Sequence, residues 1–199
     1  MIALPNEHSV CMTKREQILN TSLELFAEQG IQATPMSQIV AESKVATGTI
    51  YHHFKSKQEI IEALYLSFKK ELGQLFQSAF HSNDSIQTQF EKIWLAVFEF
   101  YIQEPLKYKF SQQVLHSHYI SEEVRQEGLS YYGAFCDFFE LGMERGEFKQ
   151  MELHLAMELI HSSICILANL YLDQKIENLN QRKQEALLFS WGGITKKKS

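Results

Sequence analysis

The stretch Thr34-Pro35-Met36-Ser37-Gln38-Ile39-Val40-Ala41, followed by Val45-Ala46-Thr47-Gly48-Thr49-Ile50-Tyr51-His52-His53-Phe54-Lys55-Ser56-Lys57, decides how this chain is read. Thr34-Pro35 opens a helix, with the threonine as N-cap and the proline in the first turn. Ile39, Val40 and Ala41 form the apolar stripe of that helix. A break at Ser43-Lys44 leads into a short helix ending near Phe54. Ile50 and Phe54, four residues apart, form its buried face. Thr47, Thr49, Tyr51 and His52 are left outward, as groups able to meet bases or phosphates, and Gly48 keeps the surface low enough for DNA to approach. Two short helices joined by a tight turn, the second polar on its outer side, form a helix-turn-helix at about residues 35–54. The first helix offers free N–H groups to a phosphate, and the second is short enough to enter a major groove.

Working outward, Thr13 precedes a pattern of Ile18, Leu19, Ser22, Leu23, Leu25 and Phe26 at helical spacing, and Gly30 stands where a left-handed C-terminal residue is needed. Ser56 caps a long helix from Lys57 to about Phe80, striped by Ile60, Ile61, Leu64, Phe68, Leu72, Leu75 and Phe76. Residues 81–85 read as a polar turn. Ile86 to Tyr101, Pro105 towards His116, Ser121 to about Gly142–Gly146, Glu152 to Leu172 and Asn178 to Trp191 complete about nine helices, and nowhere does a period of two persist. The expected fold is all-α. Residues 1–12 read as a disordered arm, 13–57 as a three-helix DNA-binding domain, and 58–199 as a helical effector-binding and dimerisation domain.

The 199 residues suffice for a substantial core. Only nine glycines and three prolines argue against the many turns of an all-β protein. Three cysteines at wide spacing fit neither a zinc template nor a disulfide framework, so reduced thiols and a cytoplasmic location are expected. No basic start leads into an apolar run, and the most apolar stretch, Leu159 to Leu172, reads as a buried helix rather than a membrane span. The net charge of −5 is unevenly spread. Residues 13–57 are slightly basic, through Lys14, Arg15, Lys44, Lys55 and Lys57, and the acidity lies elsewhere.

From Thr13 to about residue 60 the chain resembles the tetracycline-repressor (TetR) family, with Phe26 and Gly30 matching the first-helix ending and Tyr51-x-His53-Phe54-Lys55-x-Lys57 its signature. The resemblance implies that Tyr51 and Lys57 hold phosphates, that Thr34 makes a helix-capping phosphate contact, and that Thr47, Thr49 and His52 face base edges. Two positions depart from it. Lys44 stands where the family often has glycine in a left-handed turn, and Ala46 where it often has serine. Ala46 cannot cap the third helix, which passes that task to Thr47. Tyr51 and Gly48 also admit a plain packing role, and Lys44 and Lys55 that of solvated charges.

A single helix-turn-helix offers too few contacts for tight binding, so a homodimer reading two half-sites of double-stranded operator DNA is expected. The last two helices are the candidate interface: Leu155, Leu159, Ser162, Ser163, Ile166 and Leu170 on one, Ala186, Leu187 and Phe189 on the other. The resemblance implies the same pairing of terminal helices. The middle helices are rich in aromatics, and Phe90, Trp94, Phe98, Tyr101, Phe110, Tyr131, Tyr132, Phe135 and Phe139, with His116 as a polar anchor, are candidate walls of a pocket for an apolar or aromatic small molecule. The long fourth helix is the expected lever between pocket and DNA. The chain is read as a repressor released by that effector, not as an enzyme, with no cofactor, resident metal or membrane partner. Three other readings stand beside it. His154, Glu158 and His161 share one helix face and would serve a metal-responsive regulator. An all-α enzyme lacks any nucleophile motif, phosphate loop or paired carboxylates. An architectural dimer without effector would show a core with no cavity.

Overall fold

Thr13 starts the first helix, α1 (Lys14–Gln29), with a reciprocal cap. Its hydroxyl accepts from the Glu16 N–H at 3.2 Å, and the Glu16 carboxylate accepts from the Thr13 N–H at 2.8 Å. The helix stops at Gly30, whose φ of +91° reverses the chain in a region that side chains avoid. In the computed structural model, which describes residues 12–80, 84–115 and 117–196, nine further helices follow among the described residues. They are α2 (Met36–Glu42), α3 (Thr47–His53), α4 (Lys57–Ala79), α5 (Ile86–Gln103), α6 (Pro105–Val114), α7 (Glu122–Ser130), α8 (Gly133–Glu144), α9 (Leu153–Leu172) and α10 (Leu179–Ile194). One isolated antiparallel bridge, Phe148 with Thr195, is their only extended pairing. The fold is all-α, with a helix-turn-helix at its N-terminal end.

Ten helices stand where the periodicity suggests about nine, because the seventh is broken at Tyr131–Tyr132. The break rests on α4. A Cβ at Gly73 would lie 2.4 Å from the Tyr131 carbonyl oxygen, so the two segments meet only because that position has no side chain. Hydrophobic periodicity survives such a corner and does not reveal it.

Two cores form. The first gathers Ile18, Leu19, Leu25, Phe26, Ile39, Ile50 and Phe54 with Ile60, Ile61, Leu64 and Tyr65 from the first turns of α4, and Phe110 and Val114 from α6. Residues 13–57 therefore do not close a core by themselves. The second takes the rest of α4 (Phe68, Leu72, Phe76) with α5, α8, α9 and the end of α10. The α9 helix is longer than its apolar stretch suggests, and by length and composition it is apolar enough to cross a membrane. Its inner face, Ala156, Ile160, Ile164, Leu167 and Ala168, lies in this second core. It is thus a core helix along one face, while only 33% of its most apolar window is buried. An apolar outer face remains.

Candidate nucleic-acid interface and effector cavity

The short α3 is held from behind by Ile50, which is fully buried, and by Phe54 at its end. The Arg15 guanidinium lies over the Phe54 ring at 5.3 Å. The Ala46 carbonyl accepts from both Thr49 and Ile50 N–H groups, at 2.8 and 3.1 Å, which starts the helix without a side-chain cap. The capping task expected of Thr47 is thus not performed. Thr47, Gly48, Tyr51 and His52 are exposed, while Thr49 is half-buried. A Cβ at Gly48 would meet nothing within 4 Å, so this face is open. Tyr51 is 43% exposed, which removes the packing-only reading of its ring.

The turn before α3 has Lys44 at φ +55°, the left-handed conformation that glycine adopts at no cost and lysine only with about 1 kcal/mol of strain. It is fastened to α1 by the Gln17 side-chain amide, which donates to the Ser43 carbonyl at 2.8 Å. The Lys44 side chain is exposed. So is Lys55, whose ammonium donates to the Tyr51 carbonyl at 3.0 Å.

Two residues assigned to phosphates lie elsewhere. Thr34 is fully buried, and its hydroxyl donates to the Gly30 carbonyl at 2.9 Å. The N-cap of α2 is Pro35, which has no side-chain cap bond to offer. Lys57 donates to the carbonyls of Ile31 and Thr34, each at 2.9 Å. Its ammonium laces the α1–α2 turn to α4. In the sequence Arg15 counts only as a base and Gln17 carries no signal, because contacts from α1 to Phe54 and to the turn have no sequence spacing to betray them.

Behind this unit lies a cavity in which the centre of a water molecule explores about 110 Å³. Of the expected walls, Phe90, Trp94, Tyr101, Tyr132 and Phe135 line it. Phe98 and Phe139 are buried in the second core away from it, and Phe110 stacks on Phe26 with ring centres 6.1 Å apart in the first core. Tyr131 donates its hydroxyl to Glu127 at 3.1 Å. His116 lies outside the described residues. The walls not foreseen include the α4 residues Phe68, Lys69, Leu72 and Phe76, the polar Gln112, His154, Glu158 and His161, and aliphatic side chains such as Ile93 and Ile164. The stripe of α4 and the shared face of His154, Glu158 and His161 were both legible, but their convergence on one cavity was not.

Those three residues do not assemble a metal centre. Among the described residues no group of three metal-binding side chains converges. His161 Nε2 instead pairs with the Tyr101 hydroxyl at 2.9 Å and lies 3.3 Å from Cys165 Sγ. Burial pushes the Cys165 thiol up to about 11, so it stays protonated, and burial also raises Tyr101 well above the usual phenol range. Buried polar groups here are satisfied: Trp94 donates to Ser163 and Ser190, both at 3.2 Å, and Tyr108 to the Cys165 carbonyl at 3.1 Å.

On the outer face of α9, Leu155, Leu159, Ser162, Ile166 and Leu170 are exposed, Ile166 by 62%, together with Phe189 on α10 by 79%. Ser163 faces inward and shares a hydrogen bond of 2.6 Å with Ser190, while Ala186 and Leu187 pack on the second core. Leu188 and Tyr171, not foreseen, are exposed beside the strip.

Residues 18–64 match the family model described as bacterial regulatory proteins, tetR family. The chain is 23% identical over 193 residues to the HTH-type transcriptional repressor KstR2 of Mycobacterium tuberculosis, spanning 92% of this chain and 94% of that one. It is 33% identical over 84 residues to the fatty acid metabolism regulator protein of Bacillus subtilis, spanning 42% of each. A crystal structure of a tetR family transcription regulator from Shewanella sp. PV-4 superimposes with a TM-score of 0.85 at 26% identity, covering 93% of this chain and all of that one.

Proposed function

Since the chain belongs to the TetR family and is a DNA-binding transcriptional regulator with a ligand-binding domain, we propose that it is a cytoplasmic repressor, released from its operator when a small, largely apolar effector fills the cavity behind α6. The observation that carries this is the geometry of α3: a polar, open outer face over a buried Ile50–Phe54 back. On this reading Thr47, Thr49 and His52 meet base edges, Tyr51 meets a phosphate, and Gly48, Lys44 and Lys55 border the contact. Thr34 and Lys57 act by shaping the α1–α2 turn.

The outer faces of α9 and α10 are proposed to pair with a second copy. Monomers rarely leave leucine, isoleucine and phenylalanine contiguous in water. Two copies then offer two α3 helices to half-sites about one helical turn apart. The cavity favours an effector-responsive protein over an architectural dimer.

Coupling follows from α6. Its Ser111, Gln112, Val114 and Leu115 line the cavity. The side-chain amide of its Gln113 donates to the Phe26 carbonyl at 2.6 Å and accepts from the Ile31 N–H at 2.9 Å. An effector preferring a displaced α6 would shift α1, and with it α3, in proportion to its preference for that state. The α4 helix, shared by both cores, is the second connection. Selecting bound sequences from random double-stranded DNA with the purified chain tests the proposal. Enrichment of a two-fold symmetric site is expected, and a bound pool without any sequence preference would overturn it.

A further inference from the structure

Lys69 stands on α4, in the wall of the cavity, surrounded by rings. Its ammonium lies 4.7 Å from the centre of the Tyr132 ring and 5.4 Å from that of Tyr65. Half-buried lysines elsewhere pair with a carboxylate or with backbone carbonyls: Lys107 with Glu71 at 2.7 Å, Lys183 with Glu99 at 3.1 Å, Lys57 with the carbonyls of Ile31 and Thr34. Among the described residues no carboxylate comes within 4 Å of Lys69, although Glu158 on the same wall attracts it from farther away. Burial lowers its pKa to about 8, which leaves most of it charged at neutral pH.

A cation held among aromatic rings without a hydrogen-bonded counter-ion costs stability. An apolar residue there would continue the stripe of Phe68, Leu72 and Phe76. The charge therefore serves the cavity's occupant rather than the free protein. One ammonium matches one negative charge, and Glu158 opposes a second on the same molecule, which favours a monoanion over a phosphate dianion. His161 is engaged by Tyr101, and most of the remaining wall is apolar: Ile93, Trp94, Phe135 and Ile164 among others.

We propose that the effector is an amphipathic carboxylic acid, its carboxylate paired with the Lys69 ammonium and its apolar body lying among Phe76, Phe90, Trp94 and Phe135. This rests on the reading of the cavity as an effector site. The test titrates the full chain with straight-chain alkanoates from octanoate to dodecanoate and with the matching alkanols, following the combined fluorescence of Trp94 and Trp191, in wild type, Lys69→Met and Lys69→Arg. Thermal unfolding of each variant reports whether it folds. In wild type the best alkanoate is expected to bind at least about tenfold more tightly than its alkanol, a difference near 1.4 kcal/mol. Lys69→Met should abolish that preference while alkanols still bind, and Lys69→Arg should keep it. Alkanol binding equal to alkanoate binding in wild type, or a preference that survives Lys69→Met, would overturn the carboxylate pairing and leave the effector cavity standing. Binding of neither series would overturn both.

Discussion

The two cores of this chain are made of different material. Beneath α3, isoleucine, leucine and valine predominate, and the few rings, such as Phe26 and Phe110, stack on each other. Behind α6 rings make up half of the core: Phe76 meets Tyr132 at 5.0 Å, Tyr101 meets Tyr108 at 4.7 Å and Phe139 meets Phe148 at 4.9 Å. Branched aliphatic side chains interdigitate to near-crystalline density. Among the rings of the second core a cavity remains, and it carries Lys69, Glu158 and His161 on its wall. A unit that must present one shape to DNA and a unit that must admit a guest are separated by composition, and α4 and α6 belong to both.

Truncation breaks this contrast most directly. Phe26→Ala, at a fully buried ring shared by α1 and α6, should cost about 3–5 kcal/mol, read as a fall in the denaturant midpoint. The same measurement on Phe90→Ala, beside the existing cavity, should give a clearly smaller loss. Ile166→Glu combined with Phe189→Glu places charges on the exposed strip. It should yield a monomer by sedimentation, with operator affinity down about a hundredfold or more, near 2.7 kcal/mol. Retained dimerisation would remove the proposed interface.

Enlargement sharpens the comparison. Ile39→Phe in the dense core should cost about 1–3 kcal/mol. Ile93→Phe on the cavity wall should change stability by less than about 1 kcal/mol while blocking ligand. Tyr51→Ala should weaken binding to all DNA sequences about tenfold, with unfolding unchanged within about 0.5 kcal/mol. Changes at Thr49 should alter preference among sequences instead.

A further effect is pH-dependent. Lys69 has a folded pKa of about 8 against the usual 10.5, so the unfolded chain holds the proton more tightly. The resulting penalty is full below pH 8 and fades as pH rises from 8 towards 10.5. Glu158, His154 and His161 share its cavity wall, Arg125 acts on its charge from farther off, and burial pushes the neighbouring Tyr65 and Tyr132 hydroxyls up from the usual phenol range. Lys69→Met should therefore be more stable than wild type by on the order of 2 kcal/mol at pH 7. That advantage should shrink across the same window. A constant difference between pH 7 and 10.5 would mean that Lys69 is not the buried cation described.

The helix-turn-helix was legible because its determinants are local. Ile50 and Phe54 four apart and the open face at Gly48 all sit within one short segment. The left-handed position of Lys44 was read there too, but from the family resemblance rather than from spacing. The cavity was half-legible. Phe90, Trp94 and Tyr101 were identified by being aromatic, yet the same criterion enlisted Phe98, Phe110 and Phe139, which pack elsewhere. Aromatic content marks a core without saying which rings face a void. Lys69 escaped notice because a lysine within a long helix ordinarily reads as solvent-facing.

By itself, then, the amino-acid order determined the all-helical class, the recognition segment and the apolar strip on the penultimate helix, since each depends on spacing along one element. Only the tertiary structure decided that Thr34 and Lys57 turn inward, that the seventh helix breaks over Gly73, and which side chains share the cavity. Those outcomes depend on distances between elements far apart in the chain, and periodicity within one helix carries no information about what packs against it.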